Sequence, residues 1–178
     1  MDYFKKMRGT TQSPPGVGLA EVAWSWVGAF LGIACVGLIQ ARFVDQLGQG
    51  LLIGSFGATA VLVYGAVRSP LAQPRNVLGG HVISALIGVC AQQALGGTPW
   101  LAAAVGVSSA IAVMHATRTL HPPGGATALI AVIGGDSVHR LGFAYAFVPV
   151  GFGALVLLVI ALLVNNIAKS RRYPEFWF

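Results

Sequence analysis

The stretch TRTLHPPGGATAL, residues 117–129, places an arginine, a histidine, two prolines and two glycines directly before a run of apolar residues. Proline has no backbone N–H, so it cannot donate the hydrogen bond that continues a helix. Glycine has no side chain, so another group can approach the backbone closely. In a polar chain such a stretch would be a surface loop. Because this chain is apolar on both sides of it, the stretch predicts a helix that starts inside the apolar part of the molecule.

The composition is that of an integral membrane protein. Hydrophobic residues make up 56% of the 178 residues and charged residues 9%, with a mean hydropathy of +0.75, whereas soluble domains carry about 25% charged residues. Eleven Lys and Arg outnumber five Asp and Glu, and they lie mostly in the tails and in short breaks. This distribution indicates membrane topology, with membrane lipids as partners and no nucleic acid.

Six apolar segments follow one another along the chain. The first and the last, residues 19–39 and 144–164, have 21 residues each, which at about 1.5 Å per residue matches a hydrocarbon core of roughly 30 Å. Between them lie residues 51–67, 77–95, 101–116 and 122–134. We predict an all-α membrane protein with six hydrophobic segments. A four-span alternative, in which 51–67 and 122–134 do not cross, is equally compatible with the charges.

The cations indicate the orientation of the chain. With six crossings both tails, residues 1–18 and 166–178, lie on one side, and nine of the eleven Lys and Arg then fall on that side. The positive-inside tendency makes that side cytoplasmic. The first apolar segment has no cleavage pattern behind it, so we expect a retained span and no transit peptide. The aromatic end YPEFWF predicts an interfacial anchor.

A short internal repeat suggests how the segments are arranged. Residues 57–62, GATAVL, match residues 125–130, GATALI, at an offset of 68 residues, and each copy opens a short apolar segment. Each copy is the second of three segments, and three crossings invert the second copy relative to the first. The sequence therefore predicts an inverted 3+3 repeat with two short Gly/Pro-broken helices, as in many secondary transporters. Repeat 1 covers about 19–95 and repeat 2 about 99–165.

The two short helices predict an anion site. The first N–H groups of a helix lack intrahelical acceptors, and the macrodipole places about half a positive charge there. We expect a small anion to bind at the two opposed helix starts near the bilayer midplane, with threonine hydroxyls one turn further in. The predicted binding residues are Ser55, Gly57, Ala58, Thr59, His121, Gly124, Gly125, Ala126 and Thr127.

Several of these residues have a second interpretation. Glycines in membrane helices also serve close packing. His121 could donate to the anion, carry a proton that makes transport electroneutral, or cap the preceding helix. Arg75 and Arg118 could line a vestibule or snorkel to lipid phosphates, and His81 could lie near the interface or face the interior. The predicted accessory residues are Arg75, Asn76, His81, Arg118, Pro122 and Pro123.

No pattern in the sequence is typical of an enzyme. The acidic residues are scattered, and there is no Walker motif, HExxH motif or CxxC pair. Cys35 and Cys90 lie inside apolar runs without a partner at metal-ligand spacing. We expect no enzymatic activity, no cofactor and no metal.

Three stretches together resemble a known family. SPLAQPRNVLGGHVISALIGV (69–89), HPPGGATALI (121–130) and GSFGATAVLVYG (54–65) are similar to motifs of the HPP family of integral membrane proteins, and the resemblance covers about residues 20–165. It implies a small membrane protein of plastids and bacteria, usually described with four spans, whose plant members are nitrite transporters of the chloroplast envelope. It also implies that residues 121–127 carry the signature, accompanied by Gly54, Ser55, Gly57, Thr59, Arg75, Asn76 and His81.

The resemblance supplies the substrate that the pattern alone leaves open. We predict an HPP transmembrane domain at residues 19–165, located in the cell inner (plasma) membrane, that forms a transporter or channel for a small monovalent anion, with nitrite first. Nitrate and formate fit the same donors. A membrane scaffold or sensor without transport activity is the alternative, and the glycine-rich faces are compatible with a homo-oligomer.

Overall fold

The computed structural model describes residues 3–44, 50 and 52–178, and in those residues every regular element is helical. Four helices are long and apolar enough to cross a membrane: Leu19–Phe43, Pro74–Leu95, Pro99–Ala116 and Gly142–Val164. Two shorter apolar helices, Ser55–Gly65 and Pro122–Ile133, lie between them in the chain. The prediction of a multi-pass all-α protein is confirmed, with four long and two short apolar helices.

The helices are labelled in chain order. Helix α1 is Leu19–Ile39, with a π-helical continuation at Gln40–Val44, and α2 is Ser55–Ala60, continued in the same way at Val61–Gly65. Helices α3, α4 and α5 are Pro74–Leu95, Pro99–Ala116 and Pro122–Ile133. The short α6 is Gly135–His139, and a 3-10 helix at Gly142–Ala146 and a π-helical turn at Phe147–Gly151 lead into α7, Phe152–Val164.

Proline sets the start of three helices. Pro74, Pro99 and Pro122 each occupy the first turn of α3, α4 and α5, where the missing N–H costs no intrahelical bond. The predicted starts at residues 77 and 101 are therefore late by three and two residues. The sequence predicts the second apolar segment from Leu51, which lies outside the described residues, and the helix itself begins at Ser55.

Small residues let α3 pack closely against α4 and α5. A Cβ on Gly88 would lie 2.5 Å from the Ala128 carbonyl oxygen, and a Cβ on Gly80 would lie 2.6 Å from the His121 Cβ. Since real Cβ atoms do not approach so closely, α3 and α5 can touch only because both positions are glycine. Gly80, Ser84 and Gly88 follow one another at intervals of four residues, so this face of α3 has one small residue per turn.

A second packing centre joins α1, α2 and α7. The Tyr64 ring lies against Gly28 and Gly32 of α1, and the Phe56 ring lies against Gly153 of α7. The Tyr64 hydroxyl donates to the Leu157 carbonyl at 2.9 Å. The continuation of α2 is thereby fixed between the first and the last long helix.

The C-terminal tail packs back onto the helices. The Arg171 guanidinium binds both carboxylate oxygens of Glu21, at 2.7 and 3.0 Å, and its side chain is 2% exposed. The Tyr173 hydroxyl donates to the Ala72 carbonyl at 2.7 Å, and Tyr173 is buried. Tyr173 therefore does not belong to the predicted interfacial anchor, whereas Trp177 and Phe178 are exposed.

Candidate functional site

Five polar side chains meet inside the helices. Ser55 and Thr59 come from α2, His81 from α3, and His121 and Thr127 from the start and second turn of α5. Each residue is at most 1% exposed. We call these five residues the buried polar cluster.

His81 joins the two short helices. Its Nε2 atom lies 2.7 Å from the Thr59 hydroxyl, and its Nδ1 atom lies 2.7 Å from the Thr127 hydroxyl. Thr59 and Thr127 are the threonines of the two GATA motifs, 68 residues apart. Since both ring nitrogens are used, the imidazole is held between the two short helices. Of the two predicted positions of His81, near the interface or facing the interior, the structure shows the interior.

His121 links the cluster to the turn before α3. Its Nδ1 atom lies 2.7 Å from the Leu71 carbonyl oxygen and its Nε2 atom lies 3.1 Å from the Thr59 hydroxyl. Because a carbonyl oxygen only accepts, Nδ1 carries a hydrogen. His121 occupies the N-cap position of α5, and its side chain makes no capping bond. The interpretation that His121 caps the preceding helix, α4, does not match these contacts.

The two short helices make matching local bonds. The Thr59 hydroxyl lies 3.2 Å from the Ser55 carbonyl oxygen, and the Thr127 hydroxyl lies 3.2 Å from the Pro123 carbonyl oxygen. The Thr127 hydroxyl also lies 2.9 Å from the Ser55 hydroxyl, while Thr59 contacts His121. Each helix start therefore lies beside the second turn of the other helix, so α2 and α5 run past each other in opposite directions.

Aromatic rings and a tyrosine hydroxyl enclose the cluster. The Phe56 and His121 rings lie edge-on to the His81 ring, with centroids 5.5 and 5.0 Å away. The Tyr145 hydroxyl donates to the Thr127 carbonyl at 3.3 Å. In the part of the chain that the structure describes, no Asp, Glu, Lys or Arg side chain hydrogen-bonds to the cluster, and every buried side-chain N or O atom has a partner.

The predicted glycines have different surroundings. A Cβ on Gly124 would lie 2.8 Å from both the Gly80 carbonyl oxygen and the Ser84 hydroxyl, so Gly124 lets α5 pack on α3. Gly125 is half-buried beside Val107, and Gly57 is exposed with no atom near its Cβ position. Packing accounts for Gly124, as the alternative interpretation has it, and binding at Gly57 and Gly125 stays a prediction.

An apolar groove lies between the two short helices. It has a volume of about 360 Å³ and contains four of the predicted residues. Its lining is Ala58, Val61, Leu62, Pro122, Pro123 and Ala126. The predicted alanines and prolines are thus brought together, but they offer an apolar surface next to the cluster.

The predicted accessory cations do not reach the cluster. The Arg75 guanidinium donates to the Thr117 carbonyl at 2.7 Å, and the Asn76 amide donates to the Leu120 carbonyl at 2.9 Å. Arg118 is exposed, with a positive φ of 56°. Arg75 and Asn76 therefore hold the chain that leads into His121, and no pattern in the sequence indicates this role.

Two groups at the site could not be found from the sequence. The Leu71 carbonyl that binds His121 is backbone, and no side-chain pattern marks it. Tyr145 lies in the apolar stretch GFAYAF, where a tyrosine is typical of ordinary packing. As for metal sites, the described residues contain no group of three or more His, Cys, Asp or Glu side chains that could hold an ion.

Comparison with known proteins agrees with the resemblance. A family model described as "HPP, transmembrane region" matches residues 14–174. Two transmembrane proteins of Dictyostelium discoideum are similar over the whole chain, with 47% and 45% identity. The chain spans 58% and 64% of the length of these relatives. No solved structure matches.

Proposed function

From the premise that this chain belongs to the HPP family of membrane proteins, we propose that it is a transporter or channel for a small monovalent anion, with nitrite as the foremost candidate. The single observation that carries this proposal is the bridge from Thr59 through His81 to Thr127. It places hydroxyl and imidazole groups where two short helices meet inside an apolar molecule.

The donor set suits a small anion. Hydroxyl and imidazole N–H groups bind monovalent oxyanions by hydrogen bonds, and the starts of α2 and α5 add their positive dipole ends. In the described conformation the donors bind one another. An anion must therefore replace the bonds between α2 and α5, which requires the two short helices to move apart next to the apolar groove.

We propose the inverted 3+3 repeat as the frame for this movement. Matching contacts of 3.2 Å at the same offset of 68 residues support it: the Thr59 hydroxyl lies against the Ser55 carbonyl oxygen, and the Thr127 hydroxyl lies against the Pro123 carbonyl oxygen. The opposite directions of α2 and α5 support it as well. Each short helix, at about 1.5 Å per residue, reaches about half-way through a hydrocarbon core of roughly 30 Å.

The proposed location is the cell inner (plasma) membrane with both termini cytoplasmic. It rests on the excess of Lys and Arg in the tails and inner breaks. The proposed partners besides the anion are membrane lipids, and a homo-oligomer is compatible with the exposed Gly57 and Ala58 of α2.

A scaffold or sensor without transport is the second candidate. The observation in its favour is that the cluster is internally satisfied, since every buried side-chain N or O atom described has a partner. A fully bonded network of this kind needs no ligand, and fixing the helices to one another is a sufficient role for it. The two candidates differ in whether an anion ever enters the cluster.

Nitrite flux separates the candidates. Liposomes that contain the purified protein are expected to take up nitrite along a gradient. His81→Gln is expected to lower the rate of uptake at least about tenfold, which is the equivalent of one hydrogen bond of about 1.4 kcal/mol. His115→Gln, at the exposed end of α4, is the matched control and should keep the wild-type rate. Wild-type liposomes that take up no more nitrite than empty ones would refute transport.

A further inference from the structure

The contacts of the cluster determine where its hydrogens lie when both histidines are neutral. His121 donates from Nδ1 to the Leu71 carbonyl, so its Nε2 accepts from the Thr59 hydroxyl. Thr59 has then used its only hydrogen, so it accepts from His81 Nε2. The His81 Nδ1 atom is left as an acceptor, and it receives the hydrogen of the Thr127 hydroxyl.

The same four side chains can hold one more proton without losing a bond. In that state His121 donates from both nitrogens, and Thr59 turns to donate to His81 Nε2. His81 then donates from Nδ1 to Thr127. Thr127 donates to the Ser55 hydroxyl at 2.9 Å or to the Pro123 carbonyl at 3.2 Å, both of which are already in place.

We propose that Thr127, His81, Thr59 and His121 form a proton relay that takes up one proton with each anion and makes anion transport electroneutral. This inference rests on the proposed transport function and adds to it the co-transported ion and its path. It also assigns the central role to His81, which the sequence places only among the accessory residues.

The transfer balances atom by atom. A proton from water reaches the Thr127 oxygen when α2 and α5 separate, and the proton that Thr127 held passes to His81 Nδ1. The Nε2 proton of His81 passes to the Thr59 oxygen, and the Thr59 proton passes to His121 Nε2. The relay gains one proton, His121 becomes an imidazolium, and His81 changes from the Nε2–H to the Nδ1–H tautomer. When the anion leaves, the reverse transfers return one proton from Thr127 to water and restore both neutral histidines.

The charges around the cluster explain why a proton is needed. A lone anion in an apolar interior carries a large desolvation cost unless a positive charge accompanies it. No described Lys or Arg side chain hydrogen-bonds to the cluster, so the imidazolium of His121 supplies that charge. Several described titratable and charged groups on the surrounding elements have other partners: Glu21 pairs with Arg171, and the partners of Tyr64, Arg68, Arg75, His139, Tyr145 and Tyr173 are the carbonyls of Leu157, Ser170, Thr117, Val132, Thr127 and Ala72. Cys90, His115, Arg118, Asp136 and Arg140 are exposed, and Cys35 is a half-buried free thiol.

The first test measures the tautomers and needs no transport. The probe is ¹⁵N-histidine-labelled protein in lipid bilayers, observed by solid-state NMR, in a His115→Gln/His139→Gln background that leaves only the two cluster histidines. At alkaline pH we expect hydrogen on Nε2 of His81 and on Nδ1 of His121. On acidification both rings should change together, with His121 doubly protonated and His81 on Nδ1. A His81 ring that keeps its Nε2 hydrogen throughout would overturn the relay.

The second test measures coupling. Nitrite uptake and internal acidification are followed together in liposomes at several potassium-imposed voltages, with empty liposomes subtracted. We expect one proton per nitrite and a rate that does not depend on voltage. Thr127→Val should lose the accompanying acidification and make the remaining flux voltage-dependent, Thr127→Ser should restore coupling, and Thr117→Val, at the exposed end of α4, should leave coupling unchanged.

The outcomes separate the relay from the function on which it rests. Wild-type nitrite flux that depends on voltage and carries no proton refutes the relay and leaves anion transport standing. Absence of any nitrite flux refutes transport. The NMR measurement then shows by itself whether the proton moves between His81 and His121 as proposed. If Thr127→Val does not fold, the wild-type stoichiometry and the tautomers still give a decision.

Discussion

Thr59 is the member of the cluster whose hydroxyl contacts both histidines, and replacing it by valine is the most informative single change. Its hydroxyl contacts His81 Nε2 at 2.7 Å and His121 Nε2 at 3.1 Å, and the residue is fully buried. Thr59→Val keeps the shape of the side chain but leaves one nitrogen of each imidazole without a partner.

The magnitude follows from the number of bonds lost. Side-chain hydrogen bonds between membrane helices are worth about 0.6 kcal/mol on average and up to about 1.7 kcal/mol. Two such bonds predict a loss of about 1–3 kcal/mol in the free energy of unfolding. Thr59→Ser keeps the hydroxyl and loses one methyl group, so it should cost about 1 kcal/mol or less.

The assay is reversible unfolding of purified protein in mixed micelles, followed by circular dichroism. Thr117→Val is the control, because Thr117 is exposed and its hydroxyl contacts only near neighbours in the chain, the Val113 and Met114 carbonyls and the Thr119 hydroxyl. It should change stability by less than about 0.5 kcal/mol. If Thr59→Val were no less stable than Thr59→Ser, the described bridge between the histidines would be wrong.

Three further changes test the packing and the tail. Gly88→Ala should destabilise the protein by about 1–3 kcal/mol, because its Cβ would lie 2.5 Å from the Ala128 carbonyl oxygen. The control is Gly37→Ala in α1, which has open space around it and should be neutral or stabilising in the same unfolding assay. Glu21→Gln should cost about 1–3 kcal/mol in the free energy of unfolding, because it removes the negative charge that pairs with the buried Arg171, although Glu21 itself is 32% exposed. Glu175→Gln is the control, and equal stabilities of the two variants would contradict the pairing. Tyr64→Phe should cost about 0.6–1.7 kcal/mol through loss of the bond to the Leu157 carbonyl, and an unchanged unfolding midpoint would show that this bond contributes nothing.

The helices could be predicted from the sequence because their signals are local. Apolar length identifies α1 and the last span, Gly142–Val164, and Pro122 marks the start of α5. Pro74 and Pro99 also open helices, but the predicted starts at 77 and 101 follow apolar length and are late. The GATA motif at residues 57–60 and 125–128 identifies the two short helices, and the threonines of both copies contact His81.

Contacts between distant parts of the chain could not be predicted in the same way. Glu21 and Arg171 are 150 residues apart and pair only because the tail returns to the start of α1. Gly124 resembles a ligand-binding glycine in the sequence, but the close approach of Gly80 that gives it a packing role exists only in three dimensions. The Leu71 carbonyl is a backbone group, which no composition reveals.

The most direct test of the account is a structure determined with a heavy monovalent anion. Protein crystallised with bromide, or with nitrite and then bromide in competition, would be examined for anomalous scattering inside the helices. We expect a peak between α2 and α5 within hydrogen-bond distance of Thr59 or Thr127 and a histidine of the cluster, with the contact between Ser55 and Thr127 broken. A peak only at the surface arginines, with the cluster closed as described, would contradict it.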